Sequence, residues 1–221
     1  MTARHWWWCL AVVSLVAFVV LTLLVTGHRV DDLDDRIRHD LNPTGEYGQT
    51  QRRALRITDW LRPTVLMALF AALALLASLV RRSLRPVVYA GSLALATALC
   101  EIGLKWVLPR IESEGGSTGT AGSFPSGHVL CAVIVPGGLL LMLAARTRWW
   151  QWVLVAALPA VMVVVVMVSV LHWASDVVGG LLLGVFLLSA SALTPLRPSR
   201  PWPGRTGTPP GVARPVRSRT S

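Results

Sequence analysis

The chain has a single lysine, three cysteines and few charged residues, 14% of 221, and each scarcity excludes something. With 53% of its positions hydrophobic, so little charge leaves a water-soluble globule without the polar surface to cover itself. Cys9, Cys100 and Cys131 fall inside apolar runs with no paired or metal-like spacing, so neither a disulfide framework nor a zinc site is indicated. Acidic residues are missing from one whole set of connecting segments: the stretches holding Arg4, then Arg81, Arg82 and Arg85, then Arg146 and Arg148, and then the tail arginines from Arg197 to Arg219 contain no Asp or Glu.

What remains is apolar and long. Six stretches, at approximately 7–25, 63–80, 86–108, 129–145, 150–171 and 177–193, are each able to cross a hydrocarbon core of about 30 Å. The expected fold class is therefore all-α, a six-span transmembrane helix bundle over residues 1–194, with a disordered basic cytoplasmic tail at 195–221. The first stretch follows Arg4 as a signal peptide would, but its apolar core is too long and lacks a small-x-small cleavage site, so it reads as a retained span. An even span number puts both termini on one side, and the arginine-only segments make that side cytoplasmic. The connector at 27–62 carries two segments, at 31–40 and 49–61, that read as short amphipathic helices on the outer membrane surface. It serves either as a plain connector or as a lid. Composition favours a plasma-membrane protein with a lipid partner and no nucleic acid; the tail charge suits anionic headgroups.

Two short motifs carry chemistry. Pro125-Ser126-Gly127-His128 stands where the fourth run begins. Ser126 before a helix, and Gly127 permitting close backbone approach, offer unpaired first-turn N–H groups to an anion. His128 in the same turn is placed to donate a proton to a departing oxygen. Taken alone, the tetrapeptide is equally a helix cap with an incidental histidine. His172 and Asp176 are four apart, so on a helix they share a face and the carboxylate holds one ring nitrogen while the other points at substrate. Lys105 lies one turn inside the outer end of the third run and needs a partner there; that partner is either a ligand phosphate or Glu101, one turn deeper. Arg110 is either a bidentate fork for phosphate oxygens or a solvated anchor. Gly180 and Gly184, with Gly179, are spaced for close helix packing, and the tryptophans at 6–8 and 149, 150 and 152 read as a boundary belt.

These residues resemble those of the type 2 phosphatidic acid phosphatase superfamily, the integral-membrane lipid phosphate phosphatases related to vanadium haloperoxidases. The resemblance covers all six runs and is sharpest at Pro125-Ser126-Gly127-His128 and at His172-x3-Asp176. It implies a metal-free and cofactor-free hydrolase of a lipid phosphate or diphosphate. By resemblance His172 is the nucleophile that forms a phosphohistidine, Asp176 its aid and His128 the acid for the leaving group. Lys105, Arg110, Ser126 and Gly127 would bind the phosphate. Two positions depart from the family pattern: where its first and third motifs carry arginines, this chain has Glu112 and Val166. Losing one preorganised donor to transition-state charge typically costs about 10²–10³ in rate. That departure keeps open a rival reading, a weak or inactive relative that binds anionic lipid or scaffolds membrane proteins; a vanadate enzyme would need the same absent cations. Arg110, or an arginine of the first outer connector such as Arg52 or Arg53, is the candidate to replace them.

Overall fold

A computed structural model describes residues 3–43, 45, 48–108, 110–111, 113 and 122–198. Among these residues the secondary structure is entirely helical, in eight helices: α1 (Ala3–Thr26), α2 (Asp31–Leu41), α3 (Gln49–Trp60), α4 (Pro63–Arg81), α5 (Arg85–Val107), α6 (Gly127–Leu143), α7 (Trp149–Val168) and α8 (Ala174–Leu193). Five segments are long and apolar enough to cross a membrane: Arg4–Thr26, Gln49–Arg81, Arg85–Val107, Trp149–Val168 and Ala174–Leu193. The sixth expected span, α6, has 17 residues and is shorter, about 25 Å at 1.5 Å per residue.

Burial explains why α6 is built differently. Leucine and valine are freely exposed on α1, α4, α5 and α7, for example Val12, Leu69, Leu99 and Val164, the surface that a lipid solvent covers. In α6, by contrast, Val129, Leu130, Ala132, Ile134, Leu141 and Met142 are all fully enclosed, because α4, α5, α7 and α8 all pack around it. The non-helical segment before it, Ser123 to Ser126, is buried as well. Its backbone polar groups are thus surrounded by protein, the condition under which non-helical chain is tolerated at membrane depth.

Local sequence sets the helix ends. Pro63 and Pro86 occupy first-turn positions of α4 and α5, where a missing N–H costs nothing. Helix α7 ends at Val168 and α8 begins at Ala174, so the connection at 169–173, expected to be helical as far as 171, is a non-helical link. Glycine sets the distance between α6 and α8. A Cβ on Gly180 would lie 2.5 Å from the Ser126 carbonyl oxygen, and one on Gly184 would lie 2.9 Å from the Val133 Cβ, so the four-residue glycine spacing is used for packing as expected.

The two ends of the bundle differ in charge. At one end Arg81 donates to the Met142 and Leu143 carbonyls and Arg197 to those of Leu141 and Ala144, so two guanidiniums meet the negative end of the α6 dipole. Trp7 and Trp152, both near helix starts, contact each other at 5.3 Å. The other end holds α2, α3, the start of α6 and the start of α8. Of the tail, residues 199–221 lie outside the described residues.

Candidate active site

The first turns of α6 and α8 are joined directly. The Ser126 N–H donates to the Asp176 carbonyl at 3.0 Å, and the absent side chain at Gly180 lets the Ser126 carbonyl lie against α8. This junction brings the two sequence motifs together: the His128 and His172 rings lie with centroids 6.0 Å apart and planes at 64°. Lys105 and Asp59 are within electrostatic range of His128, and the Thr58 backbone at the end of α3 lies beside its ring. The two imidazoles, the lysine and the start of α6 therefore share one region.

His172 reaches its carboxylate by a different route from the one expected. It is not on a common helix with Asp176, because it belongs to the link before α8, in which Val170 adopts φ 56°, an unfavourable region for a β-branched residue. Asp176 is the third residue of α8, and its Oδ2 accepts the Trp173 N–H at 3.2 Å, the helix-start arrangement of a capping box. The same Oδ2 is 3.5 Å from His172 Nδ1, too long for a well-formed hydrogen bond, and Nδ1 is buried with no hydrogen-bond partner. Catalytic hydrogen bonds are often long in unliganded sites and tighten around substrate.

Arg110 is occupied elsewhere. Its Nη1 donates to Asp176 Oδ1 at 2.7 Å and to Ser175 Oγ at 2.6 Å, and its Nη2 donates to Asp34 Oδ2 at 2.7 Å. Its guanidinium also stands 5.4 Å from the Trp173 ring centre. In this arrangement it is neither a free phosphate fork nor a solvated anchor, but a tie between α2 and the start of α8. Sequence reasoning missed Asp34, one of five aspartates between residues 31 and 40; only its burial sets it apart. A cavity of about 570 Å³ beside this tie is lined by Val25, Asp31, Asp34, Arg110 and Trp173 among others, and by neither imidazole.

Lys105 donates to Glu101 at 3.0 Å, with both side chains largely covered. That carboxylate also lies against the start of α6: a Cβ on Gly127 would meet Glu101 Oε1 and push the Glu101 side chain aside. Ser126 precedes α6 in extended conformation and its side chain makes no capping bond; its Oγ is fully buried and unpartnered. Orphaned polar atoms of this kind are uncommon in folded proteins and call for a partner. Val166 is enclosed with Val129, Ala132, Met162 and Val177, so no polar pocket waits for an arginine at that position. Glu112 lies outside the described residues. Arg52 and Arg53 line a hollow on α3 together with Gln49 and Arg56.

Comparison with known proteins gives the family and the fold. The sequence profile of the PAP2 superfamily matches residues 85–199, which include both histidine motifs, Lys105 and Arg110. A crystal structure of a transmembrane PAP2 type phosphatidylglycerolphosphate phosphatase from Bacillus subtilis superposes with a TM-score of 0.68, covering 82% of this chain and 93% of that one at 18% sequence identity. At that identity the likeness is one of fold. No curated protein matches the sequence.

Proposed function

This chain belongs to the PAP2 superfamily, and from that membership and its site geometry we propose an integral-membrane phosphatase that hydrolyses a lipid phosphate or diphosphate at the outer leaflet. The observation that carries the proposal is the pairing of His128 and His172 at 6.0 Å, with two buried polar atoms, Ser126 Oγ and His172 Nδ1, left without partners beside them. In this reading α6 crosses the membrane as the buried centre of six spans. The arginine-rich end is cytoplasmic, α2 and α3 are surface helices of the outer connector, and the membrane is the plasma membrane. The basic tail at 195–221 meets anionic headgroups.

The chemistry follows from position. His172 Nε2 attacks phosphorus while the P–O bond to the lipid breaks, and His128 delivers its proton to the departing oxygen. The imidazolium formed on His172 is stabilised through Nδ1–H by Asp176, which moves in from its present 3.5 Å. Water then attacks the phosphohistidine, His128 takes its proton, and the N–P bond breaks to release inorganic phosphate. The equatorial oxygens are held by the first-turn N–H groups of α6, by Ser126 Oγ and by Lys105, which exchanges Glu101 for phosphate. Arg110, assigned to phosphate by family resemblance, acts here through Asp176.

One observation favours a second reading: with Val166 in an apolar cluster and Arg110 shared between Asp34 and Asp176, Lys105 is left as the cation for phosphate within electrostatic range of His128, as a binding or relict protein would also show. Phosphate release by the purified full chain in detergent, from phosphatidate, phosphatidylglycerol phosphate and polyprenyl diphosphate, separates the two. The enzyme releases phosphate from at least one of them and His172→Ala does not; equal release from both proteins on all three substrates refutes the phosphatase.

A further inference from the structure

Asp34 lies in the first turn of α2, 2% exposed, and three donors converge on it from other parts of the chain. Its Oδ1 accepts the Ser175 backbone N–H at 2.9 Å; its Oδ2 accepts the Ser175 hydroxyl at 2.5 Å and Arg110 Nη2 at 2.7 Å. The Ser175 N–H belongs to the first turn of α8, where such groups have no partner within the helix. Asp34 therefore caps α8 from a helix 141 residues away in sequence. Arg110 meanwhile serves two buried carboxylates, Asp34 and Asp176, with Asp31 a third at 3.6 Å.

The charge count is informative. Two enclosed carboxylates against one guanidinium leave a net negative charge at the start of α8, which the positive end of the helix dipole favours. Were Asp34 absent, Arg110 would be left to Asp176 and the half-exposed Asp31, and would be free to draw the Asp176 carboxylate away from His172. His172 itself faces His128 of α6, whose ring also feels Lys105 of α5 and Asp59 of α3, with Glu101 paired to Lys105; α7 carries no charged residue.

We propose that Asp34 is a positioning residue of the reaction. By capping α8 and sharing Arg110, it fixes Asp176 beside His172, which makes α2 a working part of the site. The kinetic part of this inference rests on the phosphatase reading; the structural part does not.

The test is Asp34→Asn in the full chain, which keeps size and one acceptor oxygen but removes the charge. Loss of a residue that orients a functional group typically costs about 10–100-fold. The expected result is a fall of about tenfold in kcat with KM changed less than about twofold. Asp32→Asn, the same charge change at an exposed position of α2, leaves both constants unaltered. Nitrogen-15 histidine NMR supplies a readout that needs no turnover: the His172 ring carries its proton on Nδ1 in the wild type and becomes a tautomer mixture in Asp34→Asn. If the wild type shows no turnover, the phosphatase reading fails while the tautomer still decides for or against Asp34. If Asp34→Asn does not fold, Ser175→Ala removes the hydroxyl shared by Arg110 and Asp34, and the same tautomer change is expected. A single unchanged tautomer in the folded variant, with wild-type kcat or with losses matched by a lowered melting temperature, overturns the inference.

Discussion

Gly180→Ala tests whether the site depends on the contact between α6 and α8. The new Cβ would stand 2.5 Å from the Ser126 carbonyl oxygen and 3.3 Å from the Leu130 nitrogen. An ordinary carbon–oxygen contact is about 3.3 Å, so the helices must separate locally by about 0.8 Å. Both atoms are backbone, and no side chain can rotate to absorb the shift. The same movement stretches the Ser126–Asp176 bond of 3.0 Å and parts the His128 and His172 rings. Overpacking of this kind costs about 1–3 kcal/mol of stability, whereas a 1 Å misplacement of reacting groups costs about 10²-fold in rate. Activity should therefore fall far more than stability. Gly184→Ala provides the contrast: its Cβ would meet the Val133 side chain at 2.9 Å, one turn further from the imidazoles, and should lower stability by a similar amount with a much smaller loss of rate. Gly103→Ala, which meets nothing within 4 Å, controls for the added methyl. The assays are the detergent melting temperature and phosphate release per folded molecule. A Gly180→Ala protein with wild-type kcat would refute the claim that this contact sets the distance between the rings.

Two further predictions concern charge. In Glu101→Gln, Lys105 loses the anion that holds it at 3.0 Å; with a pair of this kind worth roughly 1 kcal/mol, competitive inhibition by inorganic phosphate should strengthen about fivefold, and an unchanged inhibition constant would show that Lys105 does not face the phosphate. Val166→Arg, which restores the residue type of the family motif, places a cation among Val129, Ala132, Met162 and Val177; an unpaired buried charge costs several kcal/mol, so the melting temperature should drop with no gain in rate, and a stable, faster enzyme would refute the packing argument.

The sequence showed more of the helices than of the ties between them. Apolar runs and the spacing of Ser126, Gly127, His128, His172 and Asp176 depend on local chemistry, and a helix or its end follows from neighbours within a few residues. Even so, the run at 150–171 was read past its end, because Ser169, Val170 and Leu171 are as compatible with a helix as the valines before them, and only the packing of the link puts Val170 at φ 56°. The sequence pairs Asp176 with His172 on one helix face, whereas in the structure it is a first-turn residue of α8 that accepts the Trp173 N–H, a pattern that an aspartate three residues after a helix boundary does signal. Arg110 was not legible at all. Its partners are 66 and 76 residues away, and no local periodicity distinguishes Asp34 from Asp32 or Asp35 until α2 is docked.

The same separation in sequence bears on how this chain differs from its family. An arginine that binds phosphate directly must be free of other anions, and Arg110 is bonded to two carboxylates that are themselves buried; moving it to a ligand would strand both, at a cost of several kcal/mol. In the proposed phosphatase, substrate phosphate is therefore left to Lys105, the helix start of α6 and Ser126 Oγ. A helix N-terminus supplies roughly half a positive charge, so together with one ammonium it falls short of a phosphate dianion, and the deficit grows for a diphosphate. Protonation of His128, the group that must also deliver a proton to the leaving oxygen, removes part of that deficit. Charge balance and general acid catalysis then make the same demand on one residue, so in this chain phosphate binding and the protonation of His128 are coupled more tightly than in a site furnished with two free guanidiniums.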